Sequence, residues 1–226
     1  MKKLLMLCGV FAAVIYVGTV ILGGLWRPGY SHISMAISEL VADGAPNRPL
    51  LSSLFLLYNA LLSMFGIGLF LKANKQSRGR IPGMVGSLAL TLLVGLAGIL
   101  MELVFPQDPG GIPTTFPGTM HIVMASVASL GTMVAVLMLG LWFRNTAELK
   151  RYSTYSLSSV AVIFVSGGLT AAAMANNYPF FGLLERITIG TFIVWIFITG
   201  LKMFQLEERT STHMQLKFAG STSKGK

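Results

Sequence analysis

Residues 1–24 read MKKLLMLCGVFAAVIYVGTVILGG, and whether this stretch is cleaved or retained decides the fold. Lys2 and Lys3 followed by an apolar run have the outline of a secretory signal. The apolar core of such a signal covers only ~7–15 residues and ends in a small-x-small cleavage site. This run is longer and no such site closes it. LMLC, which resembles a lipoprotein box, comes too early to leave a signal helix before it. The stretch is therefore read as a retained first transmembrane helix, and the rest of the chain is read against that.

Five further runs have the same character. A helix needs about 20 mainly apolar residues to cross a bilayer, and the six segments that qualify are 4–26, 51–73, 83–104, 118–143, 155–175 and 183–204. Composition agrees. Hydrophobic residues make up 54% of the 226-residue chain, charged residues 11%, and mean hydropathy is +0.71. A soluble domain carries about 25% charged residues. Helices satisfy their own backbone groups where no water is present, so the expected fold is an all-α integral membrane protein. It is a six-helix bundle over residues 1–204, followed by a polar cytoplasmic tail over 205–226.

The formal net charge of +9 suggests nucleic acid in a soluble protein. No basic patch interleaved with aromatic residues is present, so nucleic acid is excluded as a partner and membrane lipids take its place. The basic residues instead orient the bundle. Lys2, Lys3, Lys72, Lys75, Arg78, Arg80, Arg144, Lys150, Arg151 and the five basic residues from Lys202 onward fall on one side. Only Arg27, Arg48 and Arg186 fall on the other. Fourteen against three predicts that both termini lie in the cytoplasm. The expected location is the cytoplasmic membrane, with connectors 27–50, 105–117 and 176–182 facing outward. Cys8 is the sole cysteine, so there is no internal disulfide and no cysteine-based zinc site.

Polar chemistry gathers on that outward side. In YSHISMAISELVADGAPNRP (30–49), Ser31 suits a helix N-cap and Gly44 a C′ position, with Pro46 beyond. Ile33, Ile37, Leu40 and Val41 recur at helical spacing, which predicts a short amphipathic helix presenting His32, Glu39 and Asp43 along one line. In MELVFPQDPGGIPTTFPGTMH (101–121), Glu102 lies at the edge of a span. An ionisable residue there is a functional candidate by default. Asp108 sits in a Pro-Gly turn, where Asp commonly bonds its own backbone. Thr114 or Thr115 suits the next N-cap, which places His121 one turn into the helix beside Ala125 and Ala128. In NNYPFFGLLERI (176–187), Glu185 suits the helix dipole and Arg186 offers a fork for carboxylate or phosphate. The glycines at 83, 86, 95 and 98 and the SGGLTAAA run at 166–173 suit close helix packing. His213, in the tail, reads as solvated.

Taken in order, YSHISMAISELVADGAPNRP, FPQDPGG with a histidine some ten residues later, and GLLERITIGTFIVW resemble the prokaryotic membrane family called domain of unknown function 998. The resemblance runs over most of the six helices. It implies six spans, implies no established activity, and directs attention to Ser38, Glu39, Asp108, His121, Glu185 and Arg186.

Three functions are compatible with this reading. A binding or transport protein would use His32, Glu39, Asp108, His121, Glu185 and Arg186, with Glu102, to recognise a lipid headgroup or small amphiphile. A membrane-embedded hydrolase or transferase would act on a lipid at the outer interface. It would use His121 as base, Glu102 or Glu39 as its carboxylate and Ser38 as nucleophile, or a divalent metal held by His32, His121, Glu102 and Asp108. In a structural or regulatory partner, the loops would only make contacts.

Overall fold

The computed structural model describes residues 2–222, with side chains described through Thr210. It is all-helical among the described residues. Six helices cross the bundle: α1 (Lys2–Trp26), α2 (Arg48–Ala73), α3 (Arg80–Leu103), α4 (Phe116–Arg144), α5 (Lys150–Ala175) and α6 (Phe181–Thr222). All six are long and apolar enough to span a membrane. α6 runs on past residue 204 to Thr222, so most of the stretch read as a polar tail is helical. The side chain of His213 lies outside the described residues.

The exterior is that of a protein dissolved in lipid. Leu130, Phe164 and Val165 are 64%, 68% and 60% exposed at mid-span, which water would not tolerate as a continuous belt. Lipid tails are as apolar as leucine, so the helices associate by close packing and by polar contacts between them. Both are present. A methyl group placed on Gly86 would lie 2.8 Å from Leu139 Cγ and 3.0 Å from the Ala135 carbonyl; one on Gly83 would press on Trp142 and Ala73. Trp142 and Trp195 are fully buried, donating their indole N–H to Gln76 Oε1 (2.6 Å) and Ser156 Oγ (2.9 Å).

α3 is not a uniform α-helix. Residues Ala89–Leu96 form a π-helical stretch between two α segments, Arg80–Leu88 and Ala97–Leu103. The wider turn re-aims the second half of the helix. Short π segments inside α-helices are frequent at functional sites. Gly95 and Gly98 lie on or just beyond it, and they leave room for Ser63 and Asn59 of α2.

The first loop differs from the amphipathic helix that its periodicity predicts. It contains a turn at 31–35 and a single 3₁₀ turn, Ser38–Val41. Ser31 Oγ accepts from the N–H groups of Ile33 and Ser34 at 3.3 and 3.2 Å, so it caps a turn and not a helix. Gly44 has φ of +75°, the left-handed conformation expected of a stop. The apolar residues are pulled inward: Ile37, Leu40 and Val41 form a buried cluster with Leu51 and Phe55 of α2. The loop is packed into one end of the bundle. At the opposite end, Lys72 pairs with Glu207 and Lys3 with Glu208, tying α1, α2 and α6 together.

Candidate functional site

All six helices and the first, third and fifth connectors line a cavity of about 730 Å³. Its deep wall is apolar: Val94 of α3, Ile163 of α5, and Ile189 and Phe192 of α6. Thr132 reaches it from the middle of α4. The small residues predicted to serve packing are divided between two roles. Gly83, Gly86 and Gly98 admit close neighbours from other helices, whereas Gly167, Ala171 and Ala173 line the cavity wall.

The polar end lies beneath the first loop. Ser38, Glu39, Glu102, His121 and Glu185, all drawn from the sequence, line it. Glu185 Oε2 accepts the Ile37 N–H at 2.7 Å. Glu102 accepts from the Ser52 hydroxyl. Glu39 Oε1 accepts the Ala36 N–H at 3.2 Å, and Arg27 lies 3.9 Å from its other oxygen. His121 is buried, with Nδ1 2.8 Å from the Phe105 carbonyl. A carbonyl only accepts, so Nδ1 carries the proton and donates it; in the neutral ring Nε2 keeps the lone pair.

Three candidates stand elsewhere. Asp108 staples its own turn. Oδ2 accepts the Thr114 N–H at 2.6 Å and the Thr115 N–H at 2.8 Å, and Oδ1 accepts the Thr115 hydroxyl at 2.8 Å. These bonds, the Thr114 amide first, hold its carboxyl below the usual range. Thr115 then caps α4, its hydroxyl accepting from Gly118 N–H at 3.1 Å. Arg186 clamps the first loop: Nη1 donates to the carbonyls of Met35 (2.9 Å) and Gly182 (2.8 Å), and Nη2 to the Tyr30 hydroxyl. Burial pushes Tyr30 up to about 12 despite the guanidinium beside it. His32 is exposed, stacked edge-on to Tyr30, and its imidazole titrates below its usual range through partial desolvation and then the Arg186 charge. His32, Asp108 and Arg186 do not line the cavity.

The proposed metal set of His32, His121, Glu102 and Asp108 is therefore not assembled. Among the described residues no three His, Cys, Asp or Glu side chains come together in a cluster able to hold a metal ion.

Several lining residues are not among the candidates drawn from the sequence. Tyr16 and Tyr58 pack edge to face at 4.8 Å on the cavity wall. Asn59, an amide in the middle of an apolar run, lines it too, donating Nδ2 to the Phe55 carbonyl at 2.9 Å. Gln107 is 3% exposed and lines the cavity, and its Oε1 has no hydrogen-bond partner. A methyl group on Gly111 would sit 3.8 Å from Gln107 Nε2 and 3.9 Å from Glu39 Oε1, so both side chains flank this glycine at the polar end.

The fold and site define a six-span helical membrane protein with an internal cavity that is polar at one end and apolar in depth. The family model described as "Protein of unknown function (DUF998)" matches residues 10–202, and the chain belongs to that family. No curated protein and no solved structure matches it.

Proposed function

We propose that this protein binds or carries an amphiphile in the cytoplasmic membrane, holding its head beneath the first loop and its apolar body between the helices. The observation that carries this reading is the division within one cavity. Carboxylates, an imidazole and the Gln107 amide gather at one end, and mainly aliphatic and aromatic side chains, with Asn59 and Thr132 among them, line the depth. Ligand sites commonly occupy ~300–1,000 Å³, mostly apolar with a few convergent polar groups. With the basic residues placed in the cytoplasm, the polar end faces outward.

A second reading, a membrane-embedded hydrolase or transferase, is favoured by His121. Its Nδ1–H is fixed on a backbone carbonyl, which leaves Nε2 as an acceptor beside the cavity, the arrangement a general base requires. Ser38 lines the same cavity.

Native mass spectrometry of the full chain in a mild neutral detergent tests the binding reading. An amphiphile should be retained by the natural sequence and lost from Ala125→Trp, which fills the cavity, at an unchanged thermal midpoint. A natural chain that retains nothing, even when single-chain amphiphiles are added, would overturn it.

A further inference from the structure

We infer that the head of the ligand is a cation: a protonated or quaternary amine on an apolar chain. This rests on the amphiphile-binding reading and specifies its chemistry. Three carboxylates, Glu39, Glu102 and Glu185, line the polar end, and among the described residues no Lys or Arg lines it. Arg27 donates to the Glu39 backbone carbonyl and lies 3.9 Å from its carboxylate. Arg186 gives Nη1 to loop carbonyls and Nη2 to the Tyr30 hydroxyl, its buried Nε having no partner, and it does not line the cavity. Glu102 and Glu185 form no ion pair among the described residues; their partners are a hydroxyl and an amide N–H. A carboxylate taken out of water is matched by a cation or by a proton.

A second observation is independent of those charges. Gln107 Oε1 is a buried acceptor without a donor, in a residue 3% exposed at the same end of the cavity. Buried acceptors left unpaired are rare. His121 Nε2 adds another acceptor. A protonated amine has donors and no acceptor, so it complements this set; a quaternary amine would answer the carboxylates alone. A phosphate or sulfate head would bring acceptors to acceptors and negative charge to carboxylates.

The test uses the full chain in neutral maltoside micelles with four twelve-carbon probes: dodecylamine, dodecyltrimethylammonium, dodecyl phosphate and dodecanol. Binding is read by native mass spectrometry at matched mole fractions. One amine-headed probe should be retained per chain at about tenfold lower mole fraction than dodecanol, and dodecyl phosphate should not be retained. Glu102→Gln should erase most of the preference for amine over alcohol; if that variant does not fold, Gln107→Leu should reduce it. Retention of the phosphate as strongly as the amine would overturn the cationic head while leaving the amphiphile cavity intact. Equal retention of amine and alcohol would do the same. Retention of no probe would remove both readings.

Discussion

Glu185 Oε2, at the start of α6, accepts the backbone N–H of Ile37 at 2.7 Å across 148 residues of sequence. The next residue, Arg186, donates to the Met35 carbonyl, and the Leu183 N–H donates to the Ile33 carbonyl at 2.9 Å. The first two turns of α6 thus grip three consecutive odd-numbered residues of the first loop by their backbone. The loop is a cover held at one edge by α6 and at another by the Asp43 N–H, which donates to the Gln107 carbonyl at 2.9 Å.

Releasing that grip should free the cover without dissolving the bundle. Arg186→Lys keeps the charge and loses the fork. Hydrogen bonds to charged groups contribute about 1.5–3 kcal/mol each, so the variant should lose stability on that order. Glu185→Ala should behave similarly, and Glu185→Gln, which still accepts, should lose less. Hydrogen exchange should accelerate at the amides of residues 33–41 and stay slow in the middle of α2. Unchanged exchange in the loop would refute the latch.

Asp108 makes the third connector sensitive to acid. Its carboxyl is held below the usual value by hydrogen bonds to the ionised form, so folding favours the deprotonated state. The stability this contributes is complete above the unfolded value of about 4. It is lost as pH falls through that value and on through the lower folded one. Thermal midpoints measured from pH 7 to pH 3 should fall more steeply for the natural chain than for Asp108→Asn in the acid range. Parallel curves would show that the turn does not depend on this charge.

Gly86 and Gly18 should respond in opposite ways to added bulk. A methyl on Gly86 meets Leu139 and the Ala135 backbone at 2.8–3.0 Å, whereas one on Gly18 meets nothing within 4 Å. Overpacking costs about 1–3 kcal/mol. Gly86→Val should therefore lower the midpoint or the folded yield. Gly18→Ala should be neutral or slightly stabilising, because alanine is the better helix former. Size-exclusion profiles and melting curves of the two variants give the comparison.

The distribution of Lys and Arg predicts which face is outside. In a chain with Cys8 replaced by Ser, Pro28→Cys should react with a membrane-impermeant maleimide on intact cells. Ser77→Cys, which is also exposed, should react only after permeabilisation. The reverse pattern would invert the bundle.

The spans were legible because the requirement behind them is local. About 20 apolar residues in succession have one stable arrangement in lipid, whatever their neighbours. The Thr115 cap was legible for the same reason, as was the left-handed backbone at Gly44, although no helix ends there. Ser38, Glu39, Glu102, His121 and Glu185 could be selected as ionisable or nucleophilic residues close to one membrane face. Asn59 carried a usable signal, a polar side chain in the middle of a span, while Gln107 was overshadowed by Asp108 beside it.

Tertiary structure alone divided those candidates. Asp108 and Arg186 have the same local appearance as Glu102 and Glu185, yet the first staples a turn and the second clamps a loop. Partners distant in the chain decide this. Residues 31–43 have the apolar spacing of a helix, but Glu185 and Arg186 take backbone groups of Ile37 and Met35, and Leu40 seats against Gly23. A segment whose backbone groups are claimed from outside has no need of helical bonds of its own. The cavity, too, is a property of no single segment. It is the space six helices leave when glycines permit close approach at 83 and 86, and when a π-helical stretch turns the end of α3 to bring Glu102 opposite Ser52.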